Sequence, residues 1–202
     1  MRLPPDAHAS RPWRIHEIAP ELRLEDVWAL PTPGAEGDFP RLVRMMSAFD
    51  PSRRGPPPVR ALFGIRRALG GLLGWDAPRP DAPTLRGRLP DDLRDSAPAP
   101  ASSAALPFTP LYLTAGEFAA EISNRTVHGV LHLGWVPDGA PGAYRGQMAV
   151  LVQREGLLGS AYMAAITPFR HRLVYPAMLR AIGEAWRGDR MPVAAPPPRA
   201  GA

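Results

Sequence analysis

SNRTVHGVLHLGWV, residues 123–136, decides the fold. Val127, Leu131, Leu133 and Trp135 alternate with Thr126, His128, Val130 and His132. A period of two over this length marks a β-strand with two unlike faces. The two histidines, four positions apart, pose a chemical question. On a helix their Cβ atoms would lie about 5–6 Å apart, close enough to ligate one metal ion. On a strand rising about 3.3 Å per residue they share a face but stand about 13 Å apart, too far for a single ion. The alternation selects the strand, so no metal site is expected here.

A loop of prolines and glycines, PDGAPG (137–142), joins this strand to AYRGQMAVLVQ (143–153), which is hairpin chemistry. Folding about the loop pairs Trp135 with Tyr144, Leu133 with Gly146, Leu131 with Met148 and Val127 with Val152, giving one apolar face. His132 then opposes Gln147, His128 opposes Leu151 and Arg145 opposes Gly134 on a more polar face. Both histidines are therefore expected as half-exposed sheet residues. Acid–base work by His128, His132 or Tyr144 is the chemical alternative, and it requires a cleft and a partner group.

Working outward, FTPLYLT (108–114) reads as another strand, while GEFAAEIS (116–123) fits either a strand or one helical turn. Downstream, Leu158, Tyr162, Ile166, Phe169, Leu173, Ala177, Met178, Ala181 and Ile182 recur at three- and four-residue intervals within 157–186, the stripe of a long amphipathic helix. Pro168 and Pro176 fall inside it, and each costs about 3 kcal/mol in an unbroken helix, so a kink or break is expected. Such a stripe requires a broad apolar partner, which the sheet supplies. Upstream, WRIHEIAP (13–20) reads as a strand and LRLEDVWAL (22–30) as a helix stopped by Pro31. DFPRLVRMMSAF (38–49), with Asp38 as its N-cap, and PVRALFGIRRALGGLLGW (58–75) read as helices. Residues 1–11 and 189–202 are expected as flexible tails around a single domain, 12–188, in which 96–107 is a flexible loop.

The 202 residues, 45% of them hydrophobic, suffice for one core. No cysteine is present, which excludes disulfides, thiolate catalysis and sulfur-ligated metal sites. All 24 basic residues are arginine, which removes Schiff-base chemistry and a P-loop lysine. The net charge is +5, yet only Arg53-Arg54 and Arg66-Arg67 are adjacent, so no nucleic-acid partner is expected. No apolar run reaches the ~18 residues of a membrane span, and MRLPPDAHASRPWR lacks a signal-peptide core. A cytoplasmic protein without a transmembrane segment is expected. The nucleophile-elbow, zinc-protease and dinucleotide-glycine motifs do not occur. Asp91-Asp92 and Glu25-Asp26 read as solvated helix ends, and helix 58–75 as packed on the sheet, with a membrane surface as its alternative.

GLLGSAYMAAITPFRHRLVYPAMLRAI (156–182), together with SNRTVHGVLHLGWVPDG and YRGQMAVLV, resembles an uncharacterised bacterial domain family. That domain occurs alone, the branch this chain is most similar to, and also behind short-chain-dehydrogenase-like, NAD(P)-binding domains. It is similar in turn to the helix-grip superfamily of START lipid-transfer, polyketide cyclase and birch-pollen-allergen-type proteins. The resemblance spans residues 13–187 and implies an α+β fold. In that fold an antiparallel sheet wraps on a long kinked C-terminal helix, with an N-terminal helical insert over 22–94 and an apolar cavity between sheet and helix. It implies no cofactor and no shared catalytic residue, and any redox-protein partner would act in trans. The expected function is binding of a small apolar or amphipathic ligand by Leu131, Leu133, Trp135, Tyr144, Met148, Tyr162 and Phe169. The alternatives are a cyclase- or hydratase-like enzyme, and a protein-interaction or peripheral membrane module.

Overall fold

Five strands pair antiparallel into one open sheet in the order β1-β5-β4-β3-β2. They are β1 (Arg23–Ala29), β2 (Thr109–Leu113), β3 (Glu117–Ser123), β4 (Val127–Pro137) and β5 (Tyr144–Arg154). The helices are α1 (Asp6–Ala9), α2 (Arg14–Ile18), α3 (Phe39–Ala48), α4 (Asp91–Arg94) and α5 (Tyr175–Gly188). This computed structural model describes residues 1–48, 84–98, 108–123, 127–154 and 170–188, with isolated positions at 56–57, 60–61 and 64. Most of the expected helix 58–75 and of the loop 96–107, and Tyr162, Pro168 and Phe169, lie outside the described residues. The chain is thus α+β, with an antiparallel sheet and a C-terminal helix.

The alternating strands form where expected, and the ambiguous 116–123 stretch resolves as β3. The hairpin register differs by two residues. Pro137 pairs with Tyr144, Trp135 with Gly146, Leu133 with Met148, Leu131 with Val150, His132 with Ala149 and His128 with Gln153. Val127 pairs with Arg154 and Val136 with Arg145. Gly139 and Gly142 adopt φ of +76° and +74°, which closes a tighter loop and draws Pro137 and Tyr144 into the ladder. A two-residue shift preserves which face each side chain occupies.

Two N-terminal assignments are exchanged. Residues 14–18 form a helix and 23–29 a strand, the reverse of the expectation. Arg23–Ala29 is an inner-facing strand with a bulge between Leu24 and Asp26, and Val27 and Trp28 are buried on opposite faces. Burial on both sides removes the polar alternation that identifies a strand. The Glu25-Asp26 pair therefore sits within β1, and Asp26 is buried. Residues 1–11, expected as a tail, lie against the sheet: Arg2 bridges Trp28, and His8 is fully buried.

Apolar clusters cover both faces. On one, Trp28, Phe118, Leu133, Trp135 and Met148 meet Phe39, Leu42 and Val43 of α3 and Tyr175, Leu179, Ile182 and Trp186 of α5. On the other, Val27, Leu111, Ala119, Val130, Ala149 and Leu151 meet Ile15, Ile18 and Leu22, with Leu85, Leu89 and Leu93. The π-helical turn Arg170–Val174 runs directly into α5, so Pro176 follows an irregular turn instead of standing inside an unbroken α-helix. Leu173 is exposed rather than part of the apolar stripe.

Candidate functional site

The polar centre of the molecule lies beneath α1 and α2, on the sheet face turned away from α5. His132 projects from β4 and is completely buried, and His128 is 2% exposed. This corrects the half-exposed placement. Period-two patterning predicts a solvated polar face only when nothing covers that face, and here residues 8–19 and 85–93 do.

Each histidine meets a glutamate of β3. His132 Nε2 lies 3.0 Å from Glu117 Oε1, and His128 Nε2 lies 3.4 Å from Glu121 Oε2. His132 pairs across the ladder with Ala119 and His128 with Ser123. Both histidine–glutamate contacts therefore span the same diagonal, to the residue two positions before the direct partner, and the four-residue spacing in β4 is matched in β3. Both glutamates also cap short helices. Glu117 accepts the backbone N–H groups of Arg14 (3.0 Å) and Ile15 (3.1 Å), which open α2. Glu121 accepts Leu85 N–H at 2.9 Å and the Thr84 hydroxyl, where the 3₁₀ turn Leu85–Arg88 begins.

Around Glu117 the contacts extend into a chain. The buried Tyr112 hydroxyl donates to Glu117 Oε1. His132 Nδ1 lies 3.1 Å from His8 Nε2, and His8 Nδ1 lies 3.1 Å from His16 Nε2. The order is Tyr112–Glu117–His132–His8–His16, running from the core to the half-buried His16. Burial alone would raise the Glu117 carboxyl pKa, but hydrogen bonds from His132, Tyr112 and the Arg14 N–H hold it below the ordinary carboxylate range. An ionised Glu117 only accepts, so His132 donates from Nε2. With three neutral rings the series continues outward: His132 Nδ1 accepts from His8 Nε2–H, and His8 Nδ1 accepts from His16 Nε2–H. Burial, followed by the proximity of His132 and His16, pushes His8 down to about 3. His16 is lowered by burial and then by His132, and Tyr112 is raised by burial and then by the Glu117 charge. Burial raises Glu121 and its bonds from His128 and Leu85 N–H overcome this, leaving it below the ordinary range.

The ring nitrogens face one another along a line and do not converge. Among the described residues no three His, Asp or Glu side chains are placed to hold one metal ion. The residues expected to line an apolar ligand site lie on the opposite sheet face. Leu133, Trp135 and Met148 are buried there, and Leu131 and Tyr144 are half-buried at its rim. Tyr175 stacks on Trp28 with ring centroids 4.6 Å apart, and Trp186 approaches Trp135 at 6.1 Å. Tyr144 stacks beside Trp135 at 6.5 Å, so it and the two histidines of β4 are separated by the sheet itself. His171 is bonded to Asp26 at 2.7 Å and lies against Trp28. The sequence reading missed His8, His16, Glu117 and Tyr112. The available signal was the second four-residue pair, Glu117 and Glu121, one hairpin upstream of the histidines. Outside both faces, a cleft of about 360 Å³ lies between Arg2–Pro5 and Leu24–Val27.

The chain matches, over residues 18–178, the family described as protein of unknown function (DUF2867), and a match over most of its length makes it a member of that family. No curated protein and no solved structure matches it. Among the described residues no helix is long and apolar enough to cross a membrane.

Proposed function

We propose that this member of the family binds a small apolar or amphipathic molecule between the sheet and its C-terminal helix, in the manner of the helix-grip proteins. The observation that carries the reading is a half-buried apolar rim continuous with the aromatic cluster under α5. Leu113, Leu131, Tyr144 and Met178 are only partly covered, while Leu133, Trp135 and Met148 back them from inside. Fully burying an exposed apolar side chain is worth about 1.5–3 kcal/mol and covering a half-buried one roughly half of that, so a ligand laid on several gains useful affinity without a charged anchor. A single domain over 12–188, related to the branch found behind dehydrogenase-like proteins, would receive or deliver such a ligand in trans. Native mass spectrometry with lipids and aromatic polyketides, alongside Trp emission titrations, tests the reading. A retained ligand that Leu131→Arg weakens at least tenfold supports it; no retained species and unchanged emission defeat it.

A second reading rests on the Glu117–His132 pair, a base held in one tautomer by a buried carboxylate as acid–base chemistry requires. The working atom would be His132 Nδ1, the position His8 now occupies. His132→Gln should then abolish turnover while the fold is kept.

A further inference from the structure

Residues 1–11 reach the rest of the protein mainly through polar contacts. The segment runs along the outer edge of β1: Leu3 N–H donates to the Val27 carbonyl, and Ala29 N–H donates to the Met1 carbonyl, each at 2.8 Å. Gln147 Nε2 donates to the Ala7 carbonyl at 3.1 Å. Leu3 is half-buried, and His8 is the one fully buried side chain that the segment contributes.

His8 fills a socket built by other elements. His132 of β4 and His16 of α2 each lie 3.1 Å from one of its nitrogens, and the Trp13 ring centroid is 6.1 Å away. A neutral imidazole fits, because it donates at one nitrogen and accepts at the other. An imidazolium would be a cation without water, between two further imidazoles and within the field of Arg11. The nearest carboxylate, Glu117 on β3, already serves His132, Tyr112 of β2 and the N–H groups of Arg14 and Ile15. From β5 only the neutral Gln147 approaches, and Arg14 of α2 is turned outward to Asp92 and Glu17. Glu117 favours a charge on His8, but less than burial and the two neighbouring imidazoles oppose it.

We propose that residues 1–11 form an acid-released latch: protonation of His8 undocks the segment from β1 and α2 while the five-stranded sheet stays folded. Release opens the β1 edge at Val27 and Ala29 and uncovers His132 Nδ1 with Glu117 behind it. The device is independent of any ligand under α5. Burial holds docked His8 to about 3, whereas a free imidazole titrates near 6.5. Below about pH 6.5 the released state binds one more proton, so the docking equilibrium falls about tenfold per pH unit until the docked ring itself titrates.

Hydrogen exchange on the full chain, with protection corrected for intrinsic rates, tests this between pH 6.5 and 4.5. The expected result is a loss of about 50-fold at the Leu3 and Ala29 amides, with Leu133 and Ala149 unchanged, and a flat profile in His8→Gln. Unchanged protection at Leu3 and Ala29, an equal loss at Leu133 and Ala149, or the same slope in His8→Gln overturns the proposal. If His8→Gln does not fold, NMR of the His8 ring in the native chain decides: a neutral ring in the docked segment at pH 5 upholds the latch, and a docked imidazolium sinks it.

Discussion

Gly134 and Trp135 are neighbours in β4, yet they look onto opposite sides of the sheet and onto different kinds of packing. Trp135 lies among Phe39, Tyr144 and Trp186, and its Nε1–H donates to the Ala35 carbonyl at 3.0 Å. Trp186 is fully buried, with the Arg41 guanidinium 3.9 Å above its ring and its Nε1–H on the Pro33 carbonyl. On the other side, the absence of a side chain at Gly134 seats the Trp13 ring, and the centre is the chain from Tyr112 to His16. An apolar face tolerates any pH but requires matched volumes. A polar interior requires every donor and acceptor to be met, and it holds only while the protonation states that meet them persist.

The sharpest way to break that contrast is Trp186→Ala. Emptying a fully buried indole site should cost about 3–5 kcal/mol, and denaturant titrations at pH 7 and pH 5 should give the same loss. A loss that grew on acidification would show that the two faces are not separable.

Glu117→Gln tests the other face. Removing the charge that His132, Tyr112 and two backbone N–H groups share should cost about 3 kcal/mol at pH 7. Because folding lowers the Glu117 pKa, its contribution is present above the unfolded carboxyl value of about 4.3 and lost as pH falls through the folded value. The gap in urea stability between wild type and variant should therefore begin to close below about pH 4.3 and vanish only below the folded value; a gap that stayed constant would assign the cost to packing.

The smallest effect is expected from a paired glycine test. A Cβ at Gly134 would stand 2.6 Å from Trp13, and one at Gly146 would stand 2.7 Å from Leu42 and 2.9 Å from Thr32 Oγ1. Each Gly→Ala change should cost about 1–3 kcal/mol. NMR shifts should move in α2 for Gly134→Ala and in α3 for Gly146→Ala, and crossed patterns would mean that strain passes through the sheet.

Legibility in the sequence followed the origin of each element's stabilisation. The β4–β5 hairpin was readable because its alternation and turn residues are local, although its register was set by the two positive-φ glycines. Helix α3 was readable from Asp38 before it and Pro51 after it, although Asp38 ends a preceding 3₁₀ turn and accepts the Ala35 N–H. Helix α2 was not. Its five residues gain their capping acceptor from Glu117, about a hundred positions downstream, so WRIHEIAP in isolation shows only an irregular apolar pattern. β1 was hidden for a complementary reason, since a strand buried on both faces and bulged at Leu24–Asp26 loses its alternation. The histidines were placed on the correct face with the wrong exposure, because the residues that cover them are distant in the chain.

By itself the sequence determined that 127–154 is a two-stranded ribbon with unlike faces, and that its histidines stand too far apart to share an ion. Backbone rise and side-chain alternation are properties of consecutive residues. Only the tertiary structure decided that the polar face is interior and that His8, His16, Glu117 and Tyr112 complete it. Long-range docking sets burial and hydrogen-bond partnership, and no local period encodes which distant donor will meet a given acceptor.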